Sequence, residues 1–222
     1  MASRDWILAA VRATIQGFSS AVARMTAVDI SEIFIQHAQQ SEEEEPLGID
    51  YRVASAVELP FADARFDFAV GFMSFMDIPE TGRVLGEAYR VLKPGGFLQF
   101  SIEHPCFTTP HRRNLRDHDG RTYAIEVGDY FRNLRGEIAE WIFSATPPEL
   151  CKELRRFKVP RFTQTVSQWL NLLLDTGFIL ERMAEPRPGE ATVLANPRLQ
   201  CAQVVAYFVH IRARKPNGSG AR

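Results

Sequence analysis

The sequence predicts an α/β fold built on a mostly parallel sheet and closed by an antiparallel pair of strands near the C-terminus. Three observations carry this. Short apolar runs bounded by turn formers alternate with segments of helical spacing between Thr26 and Ile102, the pattern of a parallel sheet covered on both faces. The run Lys93-Pro94-Gly95-Gly96 ends one helix sharply, because proline cannot continue it and glycine accepts the dihedrals of the turn. Beyond residue 177, two further apolar runs are joined by a connection bearing Pro and Gly, with no helix of useful length expected between them.

Taken in order, Thr26 to Ile30 is a short apolar run suited to a buried parallel strand, and Asp29 lies at its end. Ser31 caps a helix expected through Gln40, with Ile33, Phe34, Ala38 and His37 turned to the sheet. Ile49 to Ala54 is the next strand, and Phe66 to Met73, nearly apolar throughout, is a central one. Thr81 to Leu92 has helical spacing, with Val84, Leu85, Ala88, Val91 and Leu92 on one side, and Phe97 to Ile102 is a strand. Val166 to Leu174 is an amphipathic helix closed by Gly177; Phe178 to Met183 and Val204 to Ala213 are then expected to pair antiparallel. The aromatic and charged stretch from 105 to 160 follows a strand's C-terminal edge, where α/β sheets bind ligands, and reads as a lid or substrate wall.

A chain of 222 residues, 45% apolar and with a net charge of −1, can bury one good core. One domain is expected over 1–215, with an atypical N-terminus over 1–24 and a disordered tail over 216–222. Cations are scattered, and Arg112-Arg113 is too short for a basic patch, which argues against nucleic acid as a partner. The acidic run Glu42 to Glu45 reads as a solvated helix end or loop, and Glu137 with Glu140 as a solvated helical face. Cys106, Cys151 and Cys201 are odd in number, far apart and without metal-ligand spacing. No metal is expected, and a reduced cytoplasmic setting is. Arg12 interrupts the apolar residues from Trp6 to Val11, so neither a signal peptide nor a membrane span is read there.

Three blocks in order carry a family resemblance: Leu59-Pro60-Phe61 with Phe66-Asp67, then Val91-Leu-Lys-Pro-Gly-Gly96, then His104-Pro-Cys-Phe107. With them the chain, from Met25 to about Lys215, resembles the class I S-adenosylmethionine-dependent methyltransferases of small molecules. The resemblance implies a Rossmann-like, seven-stranded, mostly parallel sheet whose last pair is antiparallel. It also implies S-adenosylmethionine as cofactor and a small-molecule methyl acceptor, and leaves the oligomeric state open. By the resemblance Asp29 accepts hydrogen bonds from both ribose hydroxyls, as a carboxylate with two acceptor oxygens can. Ile30 packs on the adenine face, Ser55 and Ala56 meet the adenine edge (Ala56 through its amide), and Phe72, Met73 and Ser74 line the methionine part. Relatives often have Asp where Ser55 stands. For Asp29 a plain turn cap, and for Phe72 and Met73 plain core packing, are the alternatives. Lys93 to Gly96 is a structural turn in this family, not a phosphate site.

The family's first strand and loop run roughly D-x-G-x-G-x-G before a helix, letting the backbone approach the cofactor's amino acid moiety. Here Met1 to Arg24 contains only Gly17. The genetic code offers a reason. With each codon begun one base earlier, Asp5-Trp6 can encode only Leu and Trp6-Ile7 only Asp, and the stretch through Phe18 can encode L-D-L-G-C-G-E-G-H-N-T-R-L-L. Residues before Arg24 therefore read as a frame-shifted version of a glycine loop; an amphipathic N-terminal helix with a divergent loop is the alternative. Methyl transfer from a sulfonium needs in-line approach and exclusion of water more than it needs an acid or base. Candidates for the acceptor pocket are His104, Tyr123, Tyr130, Phe131 and Trp141; His104 could serve as a general base or be a structural histidine bonded to backbone. Two rival functions remain: a catalytically inactive methyltransferase-fold remnant or interaction module, and a dinucleotide oxidoreductase. The latter also needs a glycine loop and rarely ends in an antiparallel pair.

Overall fold

A computed structural model describes residues 4–9, 23–142 and 152–218. Its main sheet is built from β1 (Arg4–Ala9), β2 (Ala23–Asp29), β3 (Ile49–Val53), β4 (Phe66–Phe72), β5 (Leu92–Glu103), β10 (Ile179–Ala184) and β11 (Phe208–Arg214), in the order β10-β11-β5-β4-β1-β2-β3. β1, β2, β3, β4 and β5 pair parallel. β11 runs antiparallel to both β5 and β10, so the last two segments pair as expected. Two antiparallel hairpins stand apart from this sheet, β6 (His111–Arg116) with β7 (Thr122–Gly128), and β8 (Arg135–Trp141) with β9 (Phe157–Phe162).

Helix α1 (Glu32–Glu44) links β2 to β3, and α2 (Thr81–Val91) links β4 to β5. These two crossovers step towards opposite ends of the sheet. Right-handed connections therefore place α1 and α2 on opposite faces. The face under α2 and α3 (Val166–Thr176) carries the larger core, in which Leu98, Phe100 and Ile102 of β5 pack with Val84, Leu85, Ala88, Trp169 and Leu173. Met25, Ala27, Ile49 and Val70 form a smaller cluster.

Local chemistry sets the helix ends. Thr165 Oγ1 accepts from Gln168 N at 3.2 Å while Gln168 Oε1 accepts from Thr165 N at 2.8 Å, a reciprocal cap, and Gly177 closes α3 with φ 101°. Helix α2 ends at Val91, and Leu92 to Gly96 already belong to β5. Gly95 has φ 78°, and a Cβ on Gly96 would lie 2.8 Å from Asp67 O, so the glycines serve a close backbone turn.

Four expectations are corrected. In α1 it is Ile35 that is buried; Ile33, Phe34 and His37 are exposed, because the helix is turned so that a different stripe meets the sheet. Glu42 is not simply solvated: its Oε1 accepts from Leu47 N and Ile49 N at 2.7 and 3.1 Å, tying the turn into β3. Glu137 and Glu140 lie on a strand, β8, paired with Arg132 and Lys158. The connection from β10 to β11 holds a short helix α4 (Glu190–Ala195) and a 3-10 segment (Pro197–Gln203), and β11 begins only at Phe208, not at Val204. Strand β1 was not expected from the sequence. The frame-shift reading of residues 10–22 and the end of the expected tail, 219–222, lie outside the described residues, as does Cys151.

Candidate active site

From β1 the chain winds outward through β2 and β3, then returns to β4 and β5 on β1's other side. The order of strands thus reverses between β1 and β4, and in open α/β sheets the crevice at the carboxyl ends of such strands is where ligands bind. The expected cofactor residues all fall on that edge. Asp29 is the last residue of β2, Ser55 and Ala56 follow β3, and Phe72 ends β4 with Met73 and Ser74 just beyond.

Asp29 Oδ1 accepts from Ser31 N at 2.7 Å, so the carboxylate does cap the turn into α1. Its second oxygen accepts no hydrogen bond from the described residues. Ile30 is 76% exposed beside it, an apolar side chain with nothing packed over most of its surface. The loop after β3 is anchored by Ala54 N donating to Asp29 O at 3.0 Å, which couples the two strand ends. Ser55 Oγ is turned inward to accept from Val57 N at 3.4 Å, whereas the Ala56 amide has no acceptor among the described residues.

At the end of β4, Met73 takes a φ of 50°, a left-handed conformation rare for a side chain of this size. Its amide donates to Ser101 O at 2.9 Å, locking the turn to β5. Ser74 is buried, and Gly71 lies against the ring of Phe75 in the 3-10 turn Phe75–Asp77. Strained backbone at a ligand-facing edge is a common mark of a site. Proline and glycine signals do not announce it, so it was not legible beforehand.

His104, at the C-terminal end of β5, is 6% exposed and has both ring nitrogens engaged. Nδ1 accepts from Cys106 N at 3.1 Å, which leaves Nε2 as the donor to Glu185 Oε1 at 2.8 Å. A histidine so tied has no free lone pair for a substrate proton in this arrangement. The Tyr130 hydroxyl accepts from Val166 N at 3.1 Å. Tyr123 and Phe131 are 63% and 87% exposed, the rings of Tyr130 and Phe131 lie 5.1 Å apart, and Trp141 ends β8. Burial pushes the Cys106 thiol above its usual range, and Glu185 adds to it. Cys106 and Cys201 are free thiols.

The cleft that does form beyond β4 and β5 is lined by Met76, Asp77, Glu103, Arg161, Gln164 and Trp169. Sequence reading missed Glu103, Arg161 and Asp77. Glu103 shares a face of β5 with Ser101, two residues back, by the two-residue period of a strand. Burial raises the proton affinity of its carboxyl group, opposed by Arg161 and Arg112. Arg161 stands 3.8 Å away and donates instead to Thr108 O at 3.1 Å. No cluster of residues able to hold a metal ion is found among the described residues.

Residues 11–100 match the family model of a methyltransferase domain. The fold is similar to an S-adenosylmethionine-dependent methyltransferase from Mesorhizobium loti (TM-score 0.69, 23% identity, covering 95% of this chain and 90% of that one). It is also similar to one described as putative from Listeria monocytogenes (TM-score 0.70, 18% identity, covering 97% and 91%). In sequence the chain is similar to the ubiquinone/menaquinone biosynthesis C-methyltransferase UbiE of Rickettsia felis, 38% identical over 74 residues, 32% of this chain and 30% of the relative. It is 46% identical over 61 residues to that of Brucella anthropi, 26% and 23% of the two chains. The chain thus spans under a third of the length of these curated relatives. The matched stretch and the two structural neighbours agree on one fold, that of S-adenosylmethionine-dependent methyltransferases.

Proposed function

We propose that this protein is an S-adenosylmethionine-dependent methyltransferase of a small molecule, built on the seven-stranded plan with its antiparallel closing pair. The observation that carries the reading is the edge at the strand-order reversal, where Asp29, the Ala56 amide with no acceptor among the described residues, and the strained Met73 turn stand at the ends of β2, β3 and β4. Asp29 would hold the ribose, Ile30 the adenine face, Ser55 and Ala56 the adenine edge, and Phe72, Met73 and Ser74 the methionine part. The cofactor would supply an electrophilic methyl group. The protein's part is to hold it, to orient an acceptor in line from the Glu103–Trp169 cleft, and to exclude water. The hairpins beyond β5 would form the wall of that cleft.

The curated relatives are named as C-methyltransferases of quinone biosynthesis. Free thiols fit a reducing, cytoplasmic setting. Among the described residues no helix is long and apolar enough to cross a membrane.

The test is calorimetry with S-adenosylhomocysteine on the polypeptide carrying the alternative reading frame between Asp5 and Arg24, with and without Asp29→Ala. Loss of two hydrogen bonds to a charged acceptor should weaken binding by roughly 2–4 kcal/mol while cooperative unfolding persists. Unchanged affinity would mean that the ribose is held elsewhere. A second reading, an inactive remnant, is favoured by one observation: residues 10–22, between β1 and β2, contain a single glycine, Gly17.

A further inference from the structure

Two of the sequence blocks, Leu59-Pro60-Phe61 and the helix leading into Val91-Leu92-Lys93, meet in space through one ion pair. Arg90 binds Glu87 with two parallel bonds, Nε to Oε1 at 2.8 Å and Nη2 to Oε2 at 2.7 Å. Two of the fork's three remaining hydrogens point to backbone: Nη1 donates to Phe61 O at 2.7 Å and Nη2 to Leu59 O at 3.0 Å. Nη1 also reaches Asp63 Oδ1 at 2.8 Å. Glu87 completes the pattern by accepting from Leu59 N at 2.7 Å. Leu59 therefore has both of its backbone polar groups held by side chains of α2. The main chain of Arg90 and Val91 takes over where the side chains stop, accepting from Ala64 N and Arg65 N at 3.0 and 2.8 Å.

The residues so gripped continue directly from Ser55 and Ala56, and Ser55 bridges to Glu58, the neighbour of Leu59. Leu59 itself is buried in the core, while Ala56 and Phe61 pack against its edge. The Leu59 carbonyl also accepts from Phe61 N at 2.8 Å, but among the described polar side chains Arg90 alone holds the carbonyls of Leu59 and Phe61.

We infer that Glu87 and Arg90 are positioning residues: they fix the loop from Ser55 to Phe61 so that the Ala56 amide points at a purine edge. The inference rests on the adenine site proposed above. A guanidinium suits this task because its planar fork satisfies one carboxylate and two carbonyls at once, which a lysine ammonium cannot do with the same geometry. Glu87 is held below the usual carboxylate range mainly by its bond to Arg90, so the pair stays charged across neutral pH.

The readout is selectivity between adenosine and inosine on the full chain, titrated by NMR. Neither nucleoside has the amino acid moiety, so the glycine loop does not enter. The Ala56 N–H needs an acceptor at purine N1. Adenosine offers one, whereas inosine places a hydrogen there. The expected preference for adenosine is roughly tenfold, the size of one hydrogen bond exchanged for an unpaired donor. Arg90→Gln should bring the ratio towards one, and Arg90→Lys should restore it only in part. Thr165→Ala, which loosens α3 far from the loop, should leave it unchanged. If Arg90→Gln does not fold, Glu87→Gln serves, with faster amide exchange at Leu59 expected in the folded protein. An adenosine preference that survives both substitutions overturns the positioning role while leaving the adenine site standing. A wild-type chain that binds neither nucleoside, or both equally, overturns the adenine site and this inference with it.

Discussion

Glu103 sits where β5 leaves the sheet, and its surroundings give its carboxyl group a definite pH dependence. Burial raises the proton affinity of the group, and Arg161 and Arg112 offset this only in part. The folded state therefore binds the Glu103 proton more tightly than the unfolded state does. The ionised group costs stability above its folded pKa, and that cost disappears below its unfolded value, near pH 4. Glu103→Gln should accordingly stabilise the protein at pH 7 and lose the advantage as the pH falls to about 4. The gain should stay under about 1 kcal/mol, since the side chain keeps 38% of its surface in water. Glu87 has the opposite sign. Its folded pKa is depressed, so Glu87→Gln should destabilise at neutral pH, by about 1–3 kcal/mol for a lost charged bond, and the difference should shrink as acid titrates the carboxylate. Urea unfolding at pH 7 and pH 4 checks both. Parallel pH curves for a variant and the wild type would refute the assigned sign.

The elements of the parallel core were legible because each has a local cause in the sequence. Ser31 caps α1 through Phe34 N, Gly177 ends α3, and the apolar stripe Val84, Leu85, Ala88, Val91 is buried where α2 meets β5. The rotation of α1, by contrast, was misjudged from a stripe of mixed residues, since Ile33 and Ile35 offer the helix two competing faces. Hairpins β6–β7 and β8–β9 were foreseen only as an insertion. They are rich in charge, and their pairing rests on cross-strand partners such as Glu126 with His111 and Arg113 rather than on apolar alternation. One packing feature escaped the sequence altogether: Gly71 is small because Phe75 folds back under β4. A Cβ there would lie 2.5 Å from Phe75 Cε1, and Phe75 is itself stacked on Phe100 at 5.2 Å. Gly71→Ala should cost about 1–3 kcal/mol by overpacking, and Phe75→Leu should lose less in that background than alone. Additive thermal shifts would show that the two sites do not share the contact.

On the scale of the whole molecule, the edge of the sheet was readable and the chemistry beyond it was not. Asp29 and Ala56 follow from where strands end, whereas Glu103, Arg161 and Trp169 come from three distant segments that only folding brings into one cleft. The N-terminal region is where the sequence and the fold press on each other most directly. Strand β1 lies inside the sheet, paired with both β2 and β4, so the architecture accommodates the chain as written at residues 4–9. The connection from β1 to β2 meets a harder demand, because contacts to a cofactor's amino acid group in this fold are made by backbone amides that only glycines let come close. Leu8, Val11 and Ile15 stand at or near the positions where the alternative reading frame supplies a glycine-rich loop. The polypeptide as written is therefore expected to bind S-adenosylmethionine weakly or not at all. A polypeptide carrying the alternative frame between Asp5 and Arg24 is expected to bind it at least about a hundredfold more tightly, the equivalent of a few kcal/mol of restored backbone contacts. The two should be titrated side by side with S-adenosylmethionine and S-adenosylhomocysteine. Equal, tight binding by the chain as written would show that another group has taken over the role of the loop and that the alternative frame has no bearing on binding.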